Sequence, residues 1–204
     1  MTTKNYSGLF IAFEGLDGSG SVIQASLLSG ALKKEGYRVY ATKEPTGGLI
    51  GGLIRAQISG EWSATDECLQ LLFAADRADH LKKEIIPNLN NGKIVITDRY
   101  TFSSIAYGSV KIDNTNWLKQ INQEFITPDI TFLIKVSPKI CAMRLRKTSY
   151  DVELYRTEQK LRKAWDTYEK LANNSRDIYV IDGERDEMVM MKEMLDIVRK
   201  KLGV

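Results

Sequence analysis

Five short runs of apolar and β-forming residues punctuate the chain, and between them apolar positions recur at helical spacing. The runs are Leu9 to Phe13, Arg38 to Thr42, Lys93 to Thr97, Ile130 to Val136 and Ile178 to Ile181. The first is a short apolar run that reads as a buried strand, and the third is continuous and β-branched, as strands buried on both faces are. Behind the first run, Ile23, Leu27, Ala31 and Leu32 mark a helix that Gly36 should stop. Leu49 to Ile58 reads as a short amphipathic helix ended by Ser59-Gly60. Thr65 predicts an N-cap, with Asp66 and Glu67 in the first turn. Its helix carries Leu69, Leu72, Phe73, Arg77 and Leu81, and Pro87 should kink or end it near Ile85 or Ile86. Ser103, Ser104 and Tyr107 fall on a further helix, and Asn114 to Phe125 on another. Pro138 opens a helix at its favoured first position, and Glu184 to Leu202 is the closing amphipathic helix. Strands alternating with helices predict an α/β fold: a five-stranded parallel sheet with helices on both faces.

Composition narrows the reading only slightly. At 204 residues, 43 % of them apolar, a single domain over 1–204 is expected. A net charge of +3 gives no general case for nucleic acid as a partner. Two cysteines, Cys68 and Cys141, make no disulfide framework and are expected as reduced, buried thiols. With one histidine, His80, there is no zinc-type ligand spacing. No apolar run approaches the ~20 residues that span a bilayer, so no membrane association is expected and the reading is a soluble cytoplasmic protein.

The chemistry begins where the first strand stops. Gly15-Leu16-Asp17-Gly18-Ser19-Gly20 follows it directly and a helix follows that. Strand, glycine-rich turn and helix together make a phosphate cradle of bare amides at a helix N-terminus. Gly15 and Gly20 hold the spacing of the pattern G-x-x-x-x-G-K-[ST]. The lysine position, however, is Ser21 and the hydroxyl position is Val22. The side chains that normally reach the β- and γ-phosphates and Mg²⁺ are therefore absent. The second strand ends at Lys43-Glu44-Pro45 and the third at Asp98-Arg99-Tyr100, where open α/β sheets bind ligands. Phe73 and Arg77 are four apart on one helix face, as are Ser103 and Tyr107. From Arg144 to Lys163 seven bases face three acids, which reads either as a solvated face or as a lid that clamps phosphates.

Four pieces together resemble the thymidylate kinases, P-loop nucleoside monophosphate kinases. They are Glu14 to Gly20, Lys43 to Gly48, Leu71 to Arg77 and Asp98 to Tyr107, and the resemblance spans nearly the whole chain. It implies a three-layer P-loop fold with a short basic lid, about 144–163, and transfer of the γ-phosphate of ATP to dTMP. It implies Mg²⁺ as cofactor, small-molecule partners only, and a homodimer. Asp98 and Arg99 would be catalytic, with Asp98 holding the metal through water. ATP would lie against Gly15, Leu16, Asp17, Gly18, Ser19, Gly20, Ser21 and Val22. Arg144, on the adenine, and Arg146 and Arg156 from the lid would complete that site. The acceptor would meet Phe73, stacked on thymine, and Arg77, bonded to the base. Ser103 and Ser104 would sit near it, Tyr107 against the sugar and Asp17 at its 3′-hydroxyl, with Lys43, Glu44, Arg55 and Arg99 completing the set. The family usually has arginine where Lys43 stands, so the bidentate grip on phosphate is lost there. Two other readings stay open: a nucleotide-binding paralogue with weakened catalysis, and a kinase for another nucleoside monophosphate.

Overall fold

The computed structural model describes residues 6–146, 157–173 and 177–204. Within them, β1 (Leu9–Gly15), β2 (Val39–Lys43), β3 (Ile94–Asp98), β4 (Ile130–Lys135) and β5 (Ile178–Asp182) form one sheet. Its order is β2-β3-β1-β4-β5, parallel throughout. Every residue of β1 is buried, as its unbroken apolar run requires. The chain fills one side of β1 first and then crosses to the other. The reversal places a crevice at the C-terminal ends of β1 and β3.

Local chemistry explains most of the element ends. Helix α1 (Ser21–Lys34) stops at Gly36, whose φ of 90° lets Tyr37 N–H reach the Leu32 carbonyl at 3.1 Å. Helix α2 spans Leu49–Ser59. Thr65 caps α3 (Asp66–His80) by accepting from Cys68 N–H at 3.2 Å. Pro87 does not end this helical stretch. A π turn, Leu81–Ile85, widens the backbone just before it, and α4 (Ile86–Asn90) continues through the proline.

Helix α5 is Thr101–Gly108 and α6 is Thr115–Gln120. The sequence carried α6 on to Phe125; it closes early because the Asn122 amide turns back onto the Leu118 carbonyl at 2.8 Å. Helix α7 is Pro138–Arg146 and α8 is Glu158–Ala172. Helix α9 (Glu187–Leu202) begins three residues later than its sequence suggests, because Asp186 caps Met188 and Val189 N–H. Cys141 is buried as expected, whereas Cys68 is only half-buried; both are free.

Candidate active site

The turn after β1 is built by glycines whose backbone would strain any other residue. Gly18 and Gly20 have φ of 82° and 91°, and a Cβ on Gly18 would lie 2.9 Å from the Cys141 carbonyl oxygen. Helix α1 opens at Gly20 without a side-chain cap, so its first-turn amides face the loop. Not every loop amide is open. Asp17 N–H donates to the Tyr107 hydroxyl at 2.7 Å, and Ser19 N–H to the Leu16 carbonyl at 2.9 Å. The Leu16 side chain belongs to the core. Val22 points outward, 63 % exposed, while Ser21 is buried. Ser21 Oγ donates to Asp98 Oδ1 at 2.9 Å, so a hydroxyl one position early reaches the carboxylate at the end of β3.

Arg99 follows that carboxylate in an unusual backbone state, with φ of 69°. A non-glycine residue there is strained, and such strain gathers at functional sites. The neighbours that hold it are visible. Arg99 N–H bonds the Phe13 carbonyl at 2.8 Å. Its guanidinium bonds the Gly15 carbonyl at 3.2 Å and Ser103 Oγ at 3.0 Å, pairs with Asp17 and lies over the Tyr107 ring, 5.2 Å from its centroid. Behind it sits Glu14, whose Oε1 accepts from Tyr100 and Phe102 N–H, both at 3.1 Å. These bonds cap α5 from another element. Glu14 Oε2 accepts from the hydroxyls of Ser103 and Tyr168. Burial pushes the Glu14 carboxyl above its usual range, against the opposing pull of Ser103 and Arg99.

Between α3 and α5 lies a cavity of about 410 Å³. Phe73, Arg77, Ser103, Ser104, Tyr107 and Asp17 all reach it, as do Glu44, Asp98 and Arg99. Phe73 is half-buried, its ring available as a platform. Arg77 is 1 % exposed and held on several sides. Its Nε donates to Glu44 at 2.9 Å, its Nη2 to Ser104 Oγ at 2.9 Å, and its Nη1 to Asn122 Oδ1. Glu44 also meets His80 at 3.1 Å. Glu44 is thus a buried anchor for Arg77 as well as part of the cavity wall.

The family model described as thymidylate kinase matches residues 13–194. That span covers most of the chain and includes the loop, the β3 end and both helices of the cavity.

The chain belongs to the thymidylate kinase family.

A probable thymidylate kinase of Thermococcus kodakarensis is 36 % identical over 203 residues, covering 96 % of this chain and 99 % of its own. A thymidylate kinase of Thermosipho africanus is 34 % identical, covering 95 % and 99 %. The solved thymidylate kinase of Candida albicans, whose report describes broad substrate specificity, superposes with a TM-score of 0.84 at 25 % identity. That match covers 97 % of this chain and 94 % of the other.

Several residues that the resemblance names lie outside the cavity lining. Lys43 is exposed at the end of β2, in register with Asp98. Arg55, exposed on α2, turns back onto the Thr46 carbonyl. Arg144, at the end of α7, donates to the Gly18 carbonyl at 2.9 Å and so braces the outside of the loop. Arg146 is exposed. Arg156 lies outside the described residues, as does the middle of the basic stretch, 147–156. Sequence reasoning missed Asn122 and Tyr168 altogether, and quoted Glu14 without giving it a task. Its one available signal was a charged residue inside an otherwise apolar strand.

Proposed function

We propose that this cavity and loop carry out phosphate transfer from ATP to dTMP, giving ADP and dTDP. The chain is a nucleoside monophosphate kinase by family, and the carrying observation is Arg99, held in a strained conformation between the loop and the cavity. In our reading, thymine stacks on Phe73 and meets Arg77, the sugar lies against Tyr107 and Asp17, and the acceptor phosphate points to Arg99. The open amides at the start of α1 take the donor phosphates. An acceptor phosphate oxygen then attacks the γ-phosphorus in line, the bond to the β-phosphate oxygen breaks, and ADP leaves. No covalent intermediate is required. Arg99 neutralises charge where it builds up.

Mg²⁺ fits the donor set. Asp98 and Ser21 present a carboxylate and a hydroxyl side by side, oxygens of the kind that Mg²⁺ takes. Among the described residues no group of three or more His, Cys, Asp or Glu could hold a metal, which suits an ion completed by phosphates and water. Asp98 and Ser21 would hold it, and it would offset phosphate charge. We further propose a single domain over 1–204, lid arginines Arg146 and Arg156 near the donor, a cytoplasmic location, and a homodimer, which its sedimentation mass would reveal.

Arg99→Ala tests the assignment. Transfer should fall by about 10²–10³-fold or more, while the far-ultraviolet dichroism stays unchanged. Turnover at the wild-type rate would remove Arg99 from the chemistry.

A further inference from the structure

Gln70 stands one turn before Phe73 and two before Arg77 on α3, and all three line the same cavity. It is 2 % exposed, yet its Oε1 has no hydrogen-bond partner. Buried amides normally find partners, and Gln70 stands in the cavity wall, where a bound ligand can supply the missing one. The opposite helix makes room for it. A Cβ on Gly108 would come within 3.1 Å of Gln70 Cδ. Gly108 lies one turn after Ser104 on α5, so the amide is wedged between the two walls of the cavity.

We propose that Gln70 reads the pairing edge of the pyrimidine, its Oε1 accepting the N3–H of thymine. This rests on the acceptor reading given above. Arg77 can only donate, and Glu44 and Asn122 fix its direction, so it suits a carbonyl at C4. Ser104 Oγ already accepts from Arg77. The N3–H beside that carbonyl still needs an acceptor, and the Gln70 amide supplies one. A half-turn of its side chain exchanges oxygen and nitrogen, so the ligand selects the end it meets. Cytosine offers an acceptor at N3 and an amino group at C4. The amide could turn to match it, but Arg77 could not. The pair together therefore demands the N3–H, C4 carbonyl edge, with the amide serving thymine and uracil alike.

The test is calorimetric binding of dTMP and N3-methyl-dTMP to the wild type, Gln70→Leu and Gln70→Glu, with ADP binding as the control for folding. Methylation should weaken binding to the wild type by about tenfold or more. In Gln70→Leu, dTMP should weaken by about tenfold and the methyl penalty should vanish. Gln70→Glu keeps an acceptor and should keep the penalty, which decides the matter even if the leucine variant fails to bind ADP. A penalty that survives in Gln70→Leu, or disappears in Gln70→Glu, overturns the role of Gln70 alone. Wild-type protein that binds ADP but no dTMP overturns the kinase reading, and this inference with it.

Discussion

Ser21 stands where the phosphate-binding pattern has lysine, and its hydroxyl is spent on Asp98. The loop thus regains an oxygen beside the carboxylate but gains no positive charge. Arg99 is the cation nearest the loop backbone within the cavity lining, reaching the Gly15 carbonyl from the end of β3. On the acceptor side the comparable residue is Phe73, a half-buried ring with no polar duty. Phe73→Ala should cost about 1–3 kcal/mol of stacking, a loss of roughly 5- to 150-fold in dTMP affinity. Calorimetry would read this directly, and unchanged affinity would mean that the base lies elsewhere.

Helix α5 owes its start to Glu14, which caps it from β1 and holds Ser103 against Arg99. Because burial raises the Glu14 carboxyl, it takes a proton before an exposed glutamate does as pH falls. The folded state then binds more protons than the unfolded chain. This group therefore favours folding at acid pH, and that contribution is lost as pH rises through its folded value. Activity runs the opposite way, since protonation weakens the acceptor that Ser103 and Tyr168 share and adds a competing donor. The profile of kcat against pH should show an acid limb above the ordinary carboxylate range. Glu14→Gln should flatten that limb and lower the plateau by about tenfold. A limb that persists in the variant would assign it to another group. The loop and the basic stretch make a second pair. Ser21→Lys with Val22→Thr should raise the rate or tighten ATP binding, and make Arg146→Ala less harmful than in the natural loop. Equal losses in both backgrounds would show that the lid does not replace the loop lysine.

The sheet order places both halves of the site at one crevice, and much of that was legible beforehand. Short runs of apolar and β-forming residues marked the strands, and Thr65, Gly36 and Pro138 marked helix ends through local chemistry alone. Phe73, Arg77, Ser103, Ser104 and Tyr107 could be paired by helical spacing, and the structure brings them to one cavity. What stayed hidden depends on contacts between distant elements. Glu14 meets Ser103 across 89 positions and Tyr168 across 154, and no periodicity encodes such a meeting. Asn122 was lost inside an overlong helix because its side chain serves Leu118 and Arg77 rather than solvent. Charge and position also cannot show that the exposed Arg55 reaches back to the Thr46 carbonyl in the turn before α2.

In the proposed function one molecule binds donor and acceptor here and passes phosphate between them. Coupled ADP release, measured with ATP and each of dTMP, dCMP, dGMP and dAMP in turn, tests it most directly. Release should depend on the acceptor and be fastest with dTMP. Equal or faster release with another nucleotide would contradict the acceptor assignment. No acceptor-dependent release at all, from protein that still binds dTMP and ATP, would contradict the transfer itself.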